Sequence, residues 1–195
     1  MAMNVNDLVA AGVRPVAFVD YLAVDEPDER FAEQVGEGLA RGADLADVEL
    51  VGGETAVMPE VVRGLDLAGT CAGLAAKDGV FDGRAEPGDA LVGWRSSGIH
   101  SNGLTLAREA VTRDHAYADP CPFGDYETPG DALLAPTAIY TDLLHPMRDP
   151  GVRGPAHVTG GRRTHLPRPG GHPPRAAAAV AARPVLALGP TAGGG

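Results

Sequence analysis

The 195-residue chain has only two cysteines and one tryptophan, few aromatic residues and no long apolar run. Cys71 and Cys121 are far apart and form neither a disulfide framework nor a metal knuckle, which favours a reducing compartment. No stretch approaches the roughly 20 consecutive apolar residues that cross a bilayer. The N-terminus lacks a basic segment followed by an apolar run, so it does not resemble a secretory signal. We therefore expect a cytoplasmic protein without a membrane span.

Basic residues are scarce outside the C-terminal tail. Residues 1–160 contain 11 basic residues against all 26 acidic ones, a net charge of −15, and Lys77 is the only lysine. An acidic body argues against sequence-independent nucleic-acid binding, which requires a basic face for the phosphates. The same composition would suit a salt-rich cytoplasm, in which self-repulsion is screened. We expect a small-molecule ligand and no nucleic-acid or membrane partner.

The tail, residues 161–195, has a different composition from the body. It contains five arginines and no acidic residue, together with six prolines, seven glycines, an alanine run and no aromatic residue. This mixture resembles either a natural disordered tail or an out-of-frame reading of GC-rich coding sequence. We predict that the tail is a low-complexity, disordered segment without a packed fold.

The body alternates strand-like and helix-like segments. Apolar, β-branched runs predict strands at 15–23, 48–51, 67–74 and 90–94. Caps and periodicity predict a helix ending near residue 11, one starting at Asp25-Glu26-Pro27, and two more at 104–113 and 136–146. This alternation predicts an α/β or α+β fold. A polar, glycine-rich stretch at 77–89 predicts a domain boundary. The expected domains are therefore 1–78, 79–160 and the tail 161–195.

Three glycine-framed polar clusters follow strand-like runs, at Gly52–Pro59, Ser96–Gly103 and His157–Gly161. Glycines at the carboxyl end of a strand let a phosphate approach backbone N–H groups, and Ser, Thr and Asn add neutral donors. The second cluster runs directly into a predicted helix, so its amides would face an anion. A strand–turn–helix connection without any ligand explains the same pattern and is the commoner case.

Asp7 and Glu54 are candidate metal ligands. Carboxylate oxygens, together with substrate phosphates, are the usual ligands of Mg²⁺. Asp7 lies near the end of a predicted helix, and Glu54 follows a predicted strand and two glycines. The alternative is that Asp7 is a solvated helix residue and Glu54 an exposed turn acid. The residues alone favour this alternative.

His100 is a candidate for acid–base or phosphate chemistry. It lies among small polar residues, which favours a solvated site over a position in the core, and its imidazole could hold a phosphate or move a proton. The alternative is that it bonds only the backbone of its own loop. No Ser-His-Asp or Cys-His arrangement and no Walker-type loop is present, so the sequence does not indicate covalent catalysis.

Together these segments resemble the aminoimidazole ribonucleotide synthetase family, the phosphoribosylformylglycinamidine cyclo-ligases. The two long motifs, Gly-Gly-Glu-Thr-Ala-x-Met-Pro and Ser-Ser-Gly-x-His-Ser-Asn-Gly, carry most of the resemblance. The matching segments occur in the family's order: Asn6-Asp7, Phe18–Tyr21, Gly52–Pro59, Ser96–Gly103, Leu133–Tyr140 and Ala156–Gly161. The resemblance covers about residues 1–161.

The resemblance implies an α/β subunit with a mixed N-terminal sheet that forms a homodimer through this sheet and binds ATP with Mg²⁺. In the implied reaction of purine biosynthesis, ATP activates the formyl amide oxygen of formylglycinamidine ribonucleotide. A nitrogen then displaces phosphate and closes the imidazole ring of aminoimidazole ribonucleotide. Such a ligase depends on positioning and charge neutralisation more than on a protein nucleophile.

The resemblance also implies roles for individual residues. The implied cofactor-binding residues are Asn6, Asp7, Gly52, Gly53, Glu54 and Thr55, with Asp7 and Glu54 also as Mg²⁺ ligands. The implied substrate-binding residues are Ser97, Gly98, His100, Ser101, Asn102, Thr159 and Gly160. His100 is in addition the implied catalytic residue.

The sequence also departs from the family pattern. The family's upstream glycine-rich segment and its Asp-Gly-x-Gly-Thr-Lys strand are missing, and Met1 aligns inside a family helix. After Gly161 the family pattern stops. We therefore expect a fragment that lacks the N-terminal ATP loop and most of the C-terminal domain, with impaired activity. Two alternatives stay open. One is another member of the same ATP-binding superfamily, of the formylglycinamidine synthase, selenophosphate synthetase or thiamine phosphate kinase type. The other is a non-catalytic dimerisation fragment.

Overall fold

A computed structural model describes residues 1–81, 87, 90–148, 152–157 and 184–188. The chain divides into two compact units. The first comprises Met1–Val80 and Ile139–Arg148, and the second comprises Phe81–Ala138 and Asp149–Gly195. The predicted boundary at 78/79 lies close to this division. The predicted second domain also included residues 139–148, which here pack within the first unit.

The first unit is built on a three-stranded mixed sheet. Its central strand, β1 (Arg14–Val24), pairs in parallel with β2 (Glu49–Val57) and antiparallel with β3 (Leu65–Leu74). Strand β1 takes the centre because it carries the apolar side chains of the core, including Phe18 and Leu22, which are 1% and 4% exposed. The mixed sheet and the helices around it confirm the predicted fold class.

Helices α1 (Ala2–Ala10) and α2 (Glu29–Ala46) belong to the same unit. Helix α1 buries Val5 and Val9, and it ends close to the predicted position. Helix α2 begins later than predicted, because the Asp28 carboxylate accepts the Phe31 N–H at 3.0 Å and acts as the N-cap. The Asp25 carboxylate, which was expected to be the cap, instead accepts the Glu26 and Gly64 N–H groups.

The second unit contains a three-stranded antiparallel sheet. The strand order is β4 (Ala90–Gly93), β6 (Pro184–Leu188) and β5 (Val152–His157), with β6 in the centre. Strand β6 differs from the prediction that the tail contains no packed element. Its Pro-Val-Leu-Ala-Leu sequence is an apolar run of strand length, and β4 and β5 provide hydrogen-bonding partners on both sides. The remainder of 161–195 lies outside the described residues.

The unit also contains helices α3 (Leu104–Thr112) and α4 (Pro129–Leu134). The helix predicted at 136–146 is wrong. Helix α4 begins earlier because Thr128 and Asp131 form a capping box with a proline in the first turn. It ends before Pro136, because a residue that precedes proline avoids the helical region; Ala135 has a ψ of 121°.

Helical structure resumes, in the first unit, only as a 3-10 turn at Thr141–Leu143 followed by the short helix α5 (Leu144–Met147). Leu144 and Met147 are buried there. Among the helices that the structure describes, none combines the length and the apolar character needed to span a bilayer.

Candidate functional site

The segment Ser96–Gly103, here called the 96–103 loop, connects β4 to α3. It forms the loop-to-helix transition that the sequence predicts. Gly98 and Gly103 have φ angles of 152° and 90°, which L side chains rarely adopt, so the path of the loop depends on glycine at both positions. Gly103 is the N-cap of α3, and the first amides of that helix have no intrahelical acceptors. An anion beside this end of the loop would meet several N–H donors.

Ser97 fastens the loop to the segment that follows α4. Its hydroxyl donates to the Pro136 carbonyl at 2.6 Å and accepts the Ala138 N–H at 2.8 Å. Its own carbonyl oxygen accepts the Tyr126 hydroxyl at 2.6 Å. The hydroxyl proton and the carbonyl of Ser97 are therefore both used in holding the loop in place.

His100 is a buried residue of the loop, with an exposure of only 5%. The expectation of a solvated histidine is therefore wrong. Its Nε2 accepts the Ser97 N–H at 3.1 Å and lies 3.1 Å from the Ser97 hydroxyl oxygen. Because Nε2 is the acceptor, this geometry assigns the proton of the neutral ring to Nδ1. The alternative considered from the sequence, a bond to the backbone of its own loop, is present.

Ser101 and Asn102 occupy the outer part of the loop. Both are exposed, and the Asn102 amide donates to the Ser101 hydroxyl at 3.1 Å. The loop therefore has two layers. The inner pair, Ser97 and His100, fixes its shape, and the outer pair presents a hydroxyl and an amide to solvent beside the start of α3.

The other predicted cluster, Gly52–Thr55, does not form a loop. It lies within β2, where Gly52 pairs with Val19 and Thr55 pairs with Leu22 of β1. The predicted strand end near Val51 is wrong because the parallel ladder continues to Val57. All four residues, Gly52, Gly53, Glu54 and Thr55, are exposed.

Gly53 has a steric role in this strand. A Cβ atom at Gly53 would collide with the Asp20 carboxylate, so the absence of a side chain leaves room for that group. Gly69 of β3 also pairs with Asp20, so Gly53 and Gly69 share one face of the sheet. Asn4 of α1 lies on this face, because its Oδ1 would be 3.2 Å from a Cβ at Gly69.

Asp7 and Glu54 do not converge within one subunit. Glu54 follows Gly53 in the strand, so its side chain points to the opposite face, away from α1, which carries the exposed Asp7. Among the described residues there is also no group of three or more His, Cys, Asp or Glu side chains that could hold a metal ion. The two carboxylates of one chain therefore do not fit a shared ion.

Asn6 is buried, at 4% exposure, and its Oδ1 accepts the Tyr140 N–H at 3.0 Å. The bond joins α1 to a segment 134 residues away. In addition, the Asn4 amide donates to the Gly69 carbonyl at 2.7 Å. Asn4 and Asn6 of α1 thus both form hydrogen bonds that hold the first unit together.

Of the remaining predicted site residues, Thr159 and Gly160 lie outside the described residues. Two residues that were not predicted as site residues lie next to predicted ones. Asp20 lies over Gly53, and Tyr126 contacts the 96–103 loop. Tyr126 gave no signal in the sequence, because the stretch around it has no periodicity and contacts the loop only after folding.

Two side chains of the first unit have shifted pKa values. Burial raises the pKa of the Cys71 thiol above its ordinary value of 9.0, and burial likewise raises the pKa of the Tyr140 phenol above 10.0. Both side chains are therefore held in their neutral forms. This environment disfavours a reactive thiolate at Cys71.

The fold and the loop define a two-unit α/β protein with a glycine-framed polar loop ahead of a helix. Residues 1–75 match the N-terminal domain of AIR synthase related proteins, and residues 86–168 match the C-terminal domain. The chain therefore belongs to the AIR synthase related family.

Its curated relatives include several phosphoribosylformylglycinamidine cyclo-ligases. That of Methanosarcina mazei is 50% identical over 162 residues, which are 82% of this chain and 49% of the relative. That of Thermococcus kodakarensis is 49% identical over 174 residues, which are 86% of this chain and 50% of the relative. The chain thus spans about half the length of the curated relatives it matches.

Solved structures show the same fold. Thiamine-monophosphate kinase from Stenotrophomonas maltophilia superimposes with a TM-score of 0.60 and 28% identity, over 80% of this chain and 47% of the kinase. The hydrogenase maturation protein HypE in complex with ATP superimposes with a TM-score of 0.59 and 23% identity, over 80% and 44% of the two chains. At this identity the second likeness concerns the fold alone.

Proposed function

We propose that the outer part of the 96–103 loop binds the phosphate group of a small ribonucleotide. The observation that carries this proposal is the two-layered loop, in which Ser97 and His100 fix the backbone while Ser101 and Asn102 remain exposed. Neutral donors next to free helix amides suit a phosphate dianion, because the helix dipole adds a favourable positive end. In this proposal His100 shapes the loop through Ser97, a role that requires no proton transfer to the substrate.

The reaction we propose is ATP-dependent cyclisation of formylglycinamidine ribonucleotide, within purine biosynthesis. Support comes from the cyclo-ligases that share about 50% identity with 82% of this chain, across both domains. When bound, ATP would supply the phosphoryl group that turns the formyl oxygen into a leaving group. The residues of this chain would contribute binding and orientation, which are the main needs of such a step.

ATP and Mg²⁺ belong to the same proposal, with one restriction. ATP enters this proposal through the cyclisation reaction, which the family resemblance implies is ATP-dependent; HypE, whose solved structure holds ATP, is similar in fold alone. The pair Asp7 and Glu54, which the family resemblance implies as Mg²⁺ ligands, lies on opposite sides of the sheet in one subunit. We therefore assign no step to a metal held by these two carboxylates together.

We further propose a homodimer formed through the sheet face opposite α1. This face includes Val19, which is 38% exposed, with Tyr21 beside it, and Ala56 and Ala68 on the neighbouring strands. Apolar side chains on an open sheet are stabilised when a second surface covers them. Both cysteines are free, which is consistent with our proposal of a reducing, cytoplasmic location.

The dimer is tested by sedimentation velocity with a charge placed on the face. Ala68→Glu should shift the 195-residue chain to the monomer. Val61→Glu is the matched control, because Val61 is 73% exposed in a turn and lies outside the face. Equal sedimentation of the two variants as dimers would contradict the proposed interface.

The ribonucleotide site is tested by calorimetry. Formylglycinamidine ribonucleotide should bind the chain, and its dephosphorylated ribonucleoside should bind at least about tenfold more weakly, because hydrogen bonds to a charged phosphate are the stronger kind. Ser101→Ala with Asn102→Ala should remove most of this preference. Equal affinity for the two compounds would contradict the phosphate site. A dimer that binds neither compound would instead support the reading as a non-catalytic dimerisation fragment.

A further inference from the structure

Tyr126 lies in the connection between α3 and α4, outside both long sequence motifs, and reaches the 96–103 loop. Its hydroxyl donates to the Ser97 carbonyl oxygen at 2.6 Å, at the short end of the usual range for such a bond. Its ring lies against Gly124, where a Cβ atom would be 3.4 Å from the ring carbon Cδ2. The ring and the hydroxyl therefore have separate roles: the ring packs, and the hydroxyl contacts the loop.

The hydroxyl determines the orientation of one peptide group. In a planar trans peptide the C=O and the following N–H point in opposite directions. Because the Ser97 carbonyl faces the Tyr126 hydroxyl, the Gly98 N–H points away from it. In the part of the chain that the structure describes, this N–H has no protein acceptor. It is thus a backbone donor that a ligand can use.

Side-chain atoms of Tyr126 and Ala135 lie close to Gly98 in this peptide. A Cβ atom at Gly98 would lie 3.3 Å from the Tyr126 hydroxyl and 3.1 Å from the Ala135 Cβ. Glycine reaches many backbone conformations at little cost, so nothing within Gly98 itself prevents the 97–98 peptide from rotating. The hydrogen bond from Tyr126 supplies that restraint from outside the motif.

We propose that Tyr126 is a positioning residue that holds the Gly98 N–H in the direction of the bound phosphate. This inference rests on the proposed phosphate role of the loop and adds a residue to it. Removal of the hydroxyl releases the 97–98 peptide, so the amide must be ordered again at each binding event. The ring packing against Gly124 is unaffected, because phenylalanine keeps the ring.

The test uses the full 195-residue chain, with ribose 5-phosphate as the probe. Tyr126→Phe should weaken binding about five- to tenfold, the effect of one lost hydrogen bond. Tyr117→Phe is the matched control, because Tyr117 lies in the same connection with its side chain 50% exposed, and it should bind within about twofold of the parent chain, as surface changes generally do.

A spectroscopic readout separates positioning from loss of folded structure. In the parent chain the Gly98 amide resonance should move downfield on addition of ribose 5-phosphate. The shift should be lost in Tyr126→Phe and kept in Tyr117→Phe, while Trp94 fluorescence reports the same unfolding midpoint for all three. If Tyr126→Phe unfolds, Tyr126→Leu carries the test, because it also lacks the hydroxyl while it keeps an apolar side chain at this position, and it should also weaken binding.

Each outcome is decisive. A parent chain that binds no ribose 5-phosphate refutes the phosphate role of the loop, and this inference with it. If the parent chain binds but Tyr126→Phe (or, in its place, Tyr126→Leu) has an unchanged affinity and an unchanged Gly98 shift, the role of Tyr126 alone is refuted. Weakened binding with the shift lost supports the proposal.

Discussion

Replacing Asn6 by alanine should destabilise the first unit, although the family resemblance implies that Asn6 binds a cofactor. Asn6 is 4% exposed, and its side-chain oxygen is an acceptor for the Tyr140 N–H at 3.0 Å. The alanine variant leaves this buried donor without that acceptor, which costs about 1–3 kcal/mol. For a chain of this size, a loss of about 2 kcal/mol lowers the melting temperature by about 4–8 °C.

The neighbouring residue provides the matched control. Asp7 is exposed on the same helix, so Asp7→Ala should change stability by no more than about 0.5 kcal/mol. Urea unfolding followed by far-UV circular dichroism measures both variants. Hydrogen exchange of peptides that contain Tyr140 then locates the loss in the first unit. Trp94, the only tryptophan, lies in the second unit, so its fluorescence provides a separate signal from that unit.

Unfolding of Asn6→Ala and Asp7→Ala at the same urea concentration would refute the stabilising role of the Asn6–Tyr140 hydrogen bond. Unchanged hydrogen exchange at Tyr140 in Asn6→Ala would refute it as well. A variant of parental stability that has lost affinity for ATP would instead support the cofactor-binding role that the resemblance implies.

Three further predictions concern other residues. Gly69→Ala places a methyl group against the buried Phe18 ring and should lower the free energy of unfolding by about 1–3 kcal/mol. Gly52→Ala, which has open space around it, should leave this free energy nearly unchanged, and equal unfolding midpoints for the two variants would contradict this packing. Ser97→Ala removes the hydrogen bonds of the Ser97 hydroxyl to Pro136 and Ala138 and should lower the free energy of unfolding, followed by Trp94 fluorescence, by about 1–3 kcal/mol. Ser101 is exposed, so Ser101→Ala should change this free energy little, and comparable losses in the two variants would refute the two-layered loop. Partial burial raises the pKa of the Cys71 thiol, so the folded chain holds this proton more tightly and unfolding releases it. Stability should therefore fall as pH rises above about 9, and Cys71→Ala should flatten this part of the profile of unfolding free energy against pH. An identical slope in the two chains would contradict the raised pKa.

The sequence predicted the elements whose signals are local. The apolar runs located β1 and β3, and the switch from a glycine-framed loop to helical periodicity located α3. The prediction of a helix at 136–146 was wrong, and the signals that explain the error are also local. The capping box at Thr128 and the proline at Pro136 start and end α4 earlier, and both signals were present in the sequence.

The strand containing Gly52–Thr55 illustrates a different kind of error. Glycine is weakly suited to strands, so the sequence indicated a turn after Val51. The parallel ladder with β1 overrides that preference, because each further pair satisfies backbone hydrogen bonds along the partner strand. Local propensity could not reveal a partner that lies about thirty residues away in the chain.

Local composition and motif spacing by themselves determined the fold class, the family resemblance and the identity of the polar loop, because these depend on residue types at short range. Only the tertiary structure decided which of the predicted site residues are buried and which remain exposed. His100 and Asn6 are buried, and the alternation of side chains along β2 places Glu54 on the sheet face opposite α1. Tyr126, which lies outside both long motifs, donates a hydrogen bond to the Ser97 carbonyl. These features depend on packing between segments that are distant in the sequence. The direction of a side chain there is set by the register of its strand and by the elements that pack against it.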